Sequence, residues 1–429
     1  MSYQDMSPEA LDADIATVAT AYRAIAAERW KPPPKLTVSQ WADKYRKLSP
    51  EASAEPGQWI TARNEPMRGV MDAISDPLIT DVTVMSSAQV GKTETVLNIC
   101  GFHMAQDPAP MLVLQPTLQM AETFSKDRLA PMIRDTPALT GKVADPKARD
   151  SGNTLLQKTF PGGHVTMAGA NAPASLASRP IRVTLCDEVD RYPASAGEEG
   201  DPVALAEKRT TTFWNKKRIR VSTPTVKGVS RIEFSWLQSD QRRYFVDCPD
   251  CGGAQYLKWP QVHWPEGRPE AAEYACEHCG SLWSDAVRWR ALKKGGWVAG
   301  STDEQGVWSP GSTVKGHAGF HLNEIYSPWV RLGEMAANFV AAKKSPETLK
   351  TWVNTSLGES FEETGEKVEG STLESRGEDW NGKAPADVLV ITCGVDVQDD
   401  RIELERVGWG VGEESYSLEH RIIYGDPSA

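Results

Sequence analysis

The chain has 429 residues, 40% of them hydrophobic and 24% charged, with a net charge of -11. That length allows two or three domains, and the acidic balance excludes a generally basic binder while leaving room for a local basic channel. No run reaches the roughly 18 apolar residues of a membrane span and the polar start MSYQDMSPEALDAD lacks a signal peptide's apolar centre, which predicts a cytoplasmic protein with no membrane contact.

In chain order, the alanine-rich stretch 8–29 has apolar residues near helical spacing and ends at Lys31-Pro32-Pro33-Pro34, a stiff extended linker. It is either a docking arm or a helix packed on its own domain. A second helix is predicted over Ser39–Tyr45, with Thr37 or Ser39 as its cap. From about 80 to 225, short apolar runs alternate with helical segments: DVTVM (81–85), MLVLQP (111–116) followed by a helical TLQMAETFSKDRLAPMI, HVTMAG (164–169), IRVTLCDE (181–188) and KRIRVSTP (217–224). This alternation predicts a mostly parallel α/β sheet flanked by helices, with ligands at the carboxyl ends of its strands. Residues 245–300 change character, LGEMAANFVAAKKSPETLKTWVNTSLG reads as two helices joined near Ser345-Pro346, and 362–386 is a polar linker. The last segment, from 387, predicts a β-meander with Asp399-Asp400 at its first turn.

SSAQVGKTE (86–94) ends as a phosphate loop does, with Gly91, Lys92 and Thr93, but Ser86 stands where the first glycine belongs. In such a loop backbone N–H groups surround the phosphates, the lysine reaches the β and γ oxygens, and the hydroxyl holds Mg²⁺. IRVTLCDE ends in Asp187-Glu188, one carboxylate for the Mg²⁺ shell and one to polarise the attacking water. Ser222-Thr223-Pro224 ends another strand and can bring hydroxyls to the γ-phosphate. Together these describe a P-loop ATPase of the additional-strand type. Cys248-x-x-Cys251-Gly and Cys276-x-x-Cys279-Gly form two knuckle-like turns whose four thiolates suit closed tetrahedral Zn²⁺, a structural ribbon with His263 and His278 as spare ligands. Cys100, Cys186 and Cys393 lie in apolar runs and are expected to be buried. KRTTTFWNKKRIR (208–220) is either a track for a DNA backbone or the solvated flank of a strand.

LSPEASAEPGQW, SSAQVGKTE, LQPTLQMAETFSKDRLAPMI, LCDEVDRYP, STPTVKGVSRI, both cysteine pairs and NTSLGESFEE, in this order, resemble the large terminase subunit of tailed bacteriophages, the lambda-like GpA family, from about residue 37 onward. The resemblance implies a motor that hydrolyses ATP to drive double-stranded viral DNA into a procapsid. Its partners would be a small terminase subunit and a portal, in a homo-oligomeric ring in the cytoplasm of the bacterial host. It makes Lys92, Asp187 and Glu188 catalytic, Thr93 and Asp187 Mg²⁺ residues, and Ser222 and Thr223 a coupling motif. Ser87, Gln89 and Gly91 join the phosphate loop, and Gln58 and Trp59 take the adenine. With Ala88 and Gln89 in the loop, a phosphate-sensing arginine must come from elsewhere, Arg179, Arg209 and Arg231 being candidates. Asp396 is implied as the inward-facing first metal ligand of an RNase H-like nuclease, whose remaining ligands are expected beyond Ala429. The implied division is an arm (1–36), an ATPase core (37–244), a zinc-ribbon insertion (245–300), the rest of the ATPase domain (301–361), a linker (362–386) and the nuclease start (387–429).

Overall fold

The computed structural model describes residues 8–29, 34–51, 53–143, 153–172, 179–362, 377, 383–398 and 400–425. The chain divides into two units, Met1–Glu363 and Thr364–Ala429. Most of the expected linker at 362–386, and Lys31 to Pro33 of the proline run, fall outside the described residues.

The first unit is built on a ten-stranded sheet. Its strands in chain order are β1 (Asp81–Ser86), β2 (Pro110–Gln115), β3 (Gln157–Phe160), β4 (Gly163–Gly169), β5 (Val183–Asp187), β6 (Lys217–Ser222), β7 (Arg242–Asp247), β8 (Ala254–Tyr256), β9 (Gly296–Val298) and β10 (His317–Leu322). Across the sheet the order is β8-β7-β10-β1-β6-β5-β2-β4-β3, with β9 also on β7. All pairings from β7 to β4 are parallel, while β3, β8 and β9 add antiparallel edges. The mostly parallel α/β sheet expected from the sequence is therefore present, and the five strands read there are β1, β2, β4, β5 and β6.

β1 has every residue buried, as a central parallel strand covered on both faces requires. Its neighbours are β6 and β10, and β10 comes from beyond the cysteine pairs. Helices cover the faces. Helix α1 (Pro8–Arg29) leaves Ile15, Val18, Tyr22 and Ile25 exposed. Helix α2 (Val38–Tyr45) starts with a reciprocal cap, Thr37 Oγ1 accepting from the Gln40 N–H and Gln40 Oε1 from the Thr37 N–H. Its Trp41 is 1% exposed and lies where a side chain on Gly101 would clash. That glycine belongs to α4 (Lys92–Ala105), and α3 (Pro66–Ser75) packs beside it. The two helices expected before and after Ser345-Pro346 are Leu332–Ala342 and Pro346–Trp352. Phe339 and Trp352 stack with Trp259, centroids 5.1 and 4.8 Å apart, so aromatic packing fixes the cysteine-bearing segment to these helices.

In the second unit β11 (Val390–Val397), β12 (Arg401–Trp409) and β13 (Ser415–Tyr424) form the expected antiparallel meander. Asp400 is in its first turn, and Asp399 is outside the described residues. Cys393, expected to be buried, is exposed: every residue of β11 is, because neither of its faces is covered among the described residues.

Candidate functional site

The carboxyl ends of β1, β5 and β6 meet at a cavity of about 680 Å³. The loop leaving β1 turns into α4 through Gly91, whose φ of +88° is a conformation a side chain disfavours. Asn64 braces the loop from outside, its Nδ2 donating to the Val90 carbonyl at 2.8 Å. Lys92 is 8% exposed and folds back over the loop: Nζ donates to the Ser87 carbonyl at 2.7 Å, the Ser86 carbonyl at 3.3 Å and the Thr223 hydroxyl at 2.8 Å. Burial holds its pKa below that of a free lysine, opposed by the charges of Glu188 and Asp187. One ammonium thus joins the ends of two neighbouring strands.

Opposite it, β5 delivers two carboxylates with different surroundings. Asp187 is buried, accepts from Gln115 Nε2 at 3.1 Å, and is pushed up to about 6, chiefly by burial and then by the adjacent Glu188 charge. Glu188 has φ of +56°, a left-handed backbone that costs on the order of 1 kcal/mol for a residue with a side chain and that turns its carboxylate into the cavity. Arg191 Nε lies 3.4 Å from its Oε2.

Of the residues singled out in the sequence, Gln58, Trp59, Gln89 and Gly91 line the cavity, as do Lys92, Thr93, Glu188 and Thr223. Ser87, Asp187 and Ser222 are buried behind its wall, Ser222 accepting from the Asp190 N–H and donating to the Thr223 carbonyl. Gln58 directs its amide to the Asp43 carbonyl at 2.8 Å, and Trp59 Nε1 donates to Thr61 Oγ1 at 2.9 Å. The three candidate arginines are elsewhere. Arg231 donates to the carbonyls of Tyr192 and Pro193 and pairs with Asp201, and Arg179 donates to Gln157. Arg209 is also away from the wall, which carries Arg63, Arg128 and Arg191 instead. Sequence reading also missed Trp329, which lines the cavity, as do the apolar Val330, Ile60 and Leu48. No local pattern marks it, since it reaches the site only through the return of the chain along β10.

The basic stretch 208–220 is largely structural at its carboxyl end. The Lys217 ammonium donates to the Asp76 and Ile79 carbonyls, and Arg218 and Arg220 pair with Asp81 and Glu207. These contacts fix the start of the strand that carries the loop. They favour the flank of a strand over a DNA track for this part, while Trp214 stands 87% exposed on the preceding turn.

A second cluster joins the two cysteine pairs. Each pair has the same turn: the Cys248 carbonyl accepts from the Gly252 N–H and the Cys276 carbonyl from the Gly280 N–H, both at 2.9 Å, with glycine φ of +72° and +73°. The four Sγ atoms lie within 4.8 Å of one another, Cys248 to Cys279 at 3.8 Å and Cys251 to Cys276 at 3.9 Å. A tetrahedron with metal–sulfur bonds of about 2.3 Å has edges of about 3.8 Å, so the donor set fits one zinc-sized ion. Burial opposes ionisation of Cys276, but the Cys279 and His278 N–H groups and the Gln255 amide hold it down to about 6. His263 and His278 stand outside the cluster. In the second unit Asp396 lies opposite Glu403 on β12, exposed like every residue of β11, and accepts a hydrogen bond from Gln398.

Residues 53–297 match the family profile described as the phage terminase large subunit gpA, ATPase domain, and residues 317–429 match the gpA endonuclease domain. The chain belongs to the phage terminase large subunit gpA family. It is 32% identical over 415 residues to the terminase large subunit of Enterobacteria phage P21 and 30% identical over 417 residues to that of Escherichia phage lambda. Each comparison covers 92% of this chain and 64% of the relative, so the chain spans less than two thirds of these gpA proteins' length. Among solved structures, the HK97 bacteriophage large terminase aligns with a TM-score of 0.46 at 12% identity, covering 91% of this chain and 68% of its own. The endonuclease match begins at residue 317, on β10, a strand of the first unit's sheet.

Proposed function

We propose that this chain is the motor portion of a terminase large subunit, hydrolysing ATP to drive double-stranded viral DNA into a procapsid. The observation that carries this reading is the buried Lys92 ammonium, held between the phosphate loop and Thr223 and facing the Asp187-Glu188 pair. In this reading the loop and Lys92 neutralise the phosphates, Gln58 and Trp59 receive the adenine, and Glu188 accepts the proton of the attacking water. Thr93 and Asp187 would hold Mg²⁺, which supplies charge neutralisation at the transferred phosphoryl group. Burial and the Glu188 charge disfavour the ionised Asp187, a cost that a cation held there would offset. Ser222 and Thr223 would report phosphate to the rest of the fold.

The cysteine cluster would hold structural Zn²⁺ in a ribbon, as its sulfur spacing supports. The meander with Asp396 would begin an RNase H-like nuclease, the endonuclease match supporting that assignment. A small terminase subunit, a portal and further copies of the chain in a ring would be its partners in the host cytoplasm. Among the described residues no helix is long and apolar enough to cross a membrane.

The test is Glu188→Gln in the full chain. The variant should bind ATP with Mg²⁺ as the parent does while turnover falls by at least about a hundredfold. Turnover within tenfold of the parent would remove Glu188 from its role, and absence of nucleotide binding in the parent would end the ATPase reading.

A further inference from the structure

Residues 353–357 continue the last helix of the first unit as a short π-helical turn, and the chain then passes to 361 alongside the phosphate loop. The Thr355 carbonyl accepts the Ala88 N–H at 2.8 Å, beside the Leu322 carbonyl at the end of β10, which accepts the Ser87 N–H at 2.9 Å. Gly358 has φ of +62°, and a methyl group on it would overlap the Ser87 amide nitrogen and the Ser86 carbonyl carbon. Only a glycine lets the two backbones approach this closely. The Gly358 carbonyl accepts from His321 Nε2 at 3.0 Å, so β10 holds the crossing from its other side.

The same segment then runs beside the loop that follows β6. The Phe361 N–H donates to the Thr225 carbonyl at 2.9 Å and the Lys227 N–H returns to the Phe361 carbonyl at 3.1 Å, while Ser360 bonds the Glu233 carboxylate. That loop begins at Thr223, the residue whose hydroxyl takes the Lys92 ammonium. One short segment therefore touches both loops that line the cavity, and its Thr355 lies on the cavity wall.

We infer that Gly358 and the segment 353–361 are positioning elements of the nucleotide site, shaping the first half of the phosphate loop through its backbone and joining it to the Thr223 loop. The usual loop carries its own first glycine; here Ser86 is fully buried at that place, and the glycine that permits close backbone packing is contributed by a distant part of the chain. Neither Thr355 nor Gly358 has to touch substrate to act, since both act through the backbone of Ser87 and Ala88. The inference rests on the nucleotide reading of the cavity.

Two measurements on the full chain test it. The first is amide hydrogen exchange with and without a non-hydrolysable ATP analogue and Mg²⁺, after binding has been measured by calorimetry. Peptides over 353–361 and 223–230 should exchange at least about threefold more slowly with nucleotide bound. Binding without any change in either peptide overturns the inference, whereas no binding overturns the nucleotide reading and the inference with it. The second is Gly358→Ala, compared with Gly141→Ala, a glycine at φ of +77° with open space around its α-carbon. Gly358→Ala should raise KM for ATP about tenfold or more with kcat within about threefold, and Gly141→Ala should leave KM unchanged. Equal KM values in the two variants overturn the inference, and if Gly358→Ala does not fold, the exchange experiment decides alone.

Discussion

His321 should make the first unit sensitive to mild acid. The ring is 3% exposed and fully engaged: Nδ1 faces an Arg243 guanidinium nitrogen at 3.0 Å and Nε2 faces the Gly358 carbonyl at 3.0 Å. The arginine can only donate and the carbonyl can only accept, so the ring is neutral with its proton on Nε2. Burial, reinforced by the Arg243 charge, drives its pKa down to about 3, against about 6.5 in an unfolded chain. The sign follows from which state takes the proton. Below pH 6.5 the unfolded chain binds a proton that the folded unit refuses, so stability present above 6.5 is lost as pH falls toward 3. At pH 5 the loss from this one group is about 2 kcal/mol. The assay is urea unfolding followed by tryptophan fluorescence at pH 7.5 and pH 5, for the parent and for His321→Gln, whose amide can accept from Arg243 and donate to Gly358. His317, also pulled down by burial, titrates in the same direction in both proteins and cancels in the difference. The parent should lose about 2 kcal/mol more than the variant between the two pH values; parallel losses would refute the reasoning.

Two further outcomes are expected. The purified chain should carry about one Zn²⁺, and removing it with a chelator should release the segment 248–283 to protease while Cys276→Ser abolishes stoichiometric binding; a metal-free chain of unchanged protease resistance would reject the cluster as a zinc site. Trp329→Ala should raise KM for ATP about fivefold or more with kcat little changed, because stacking of a base on an indole contributes about 1–3 kcal/mol. A KM within twofold of the parent would exclude Trp329 from base binding.

What could be read in the sequence was whatever carries its signal locally. DVTVM is short, β-prone and buried throughout because β1 is covered on both faces, and Gly91-Lys92-Thr93 a few residues later fixes a strand, a turn and a helix start within a dozen residues. The cysteine turns are equally local. β7 and β10 were not legible: RRYFVD carries two arginines and HAGFHL two histidines and a glycine, since at these strands side chains bond across the sheet. Arg243 spans to His321, and His317 reaches Thr83 at 2.8 Å. The arginines of the cavity wall, Trp329 and Gly358 escaped for a related reason. Trp329 and Gly358 reach the site by long-range strand order, which has no periodicity to detect, while Arg191 sits three residues after Glu188 in a turn with no pattern to mark its direction.

The position of β10 has a consequence for how the protein is made. β1 leaves the ribosome early, but one of its two flanking strands arrives with a sequence separation of 236 residues between Thr80 and Gly316, which bond at the edge of that pairing. At about 5–20 residues per second, β1, every residue of which is buried in the finished sheet, waits on the order of tens of seconds for its β10 side to be paired. During that interval the nascent phosphate loop lacks the carbonyls of Leu322 and Thr355 that take up its Ser87 and Ala88 amides. On the proposed nucleotide reading, competence would be acquired late in synthesis, and a ribosome stalled before residue 317 would hold a chain with an open, aggregation-prone strand edge in the middle of its sheet.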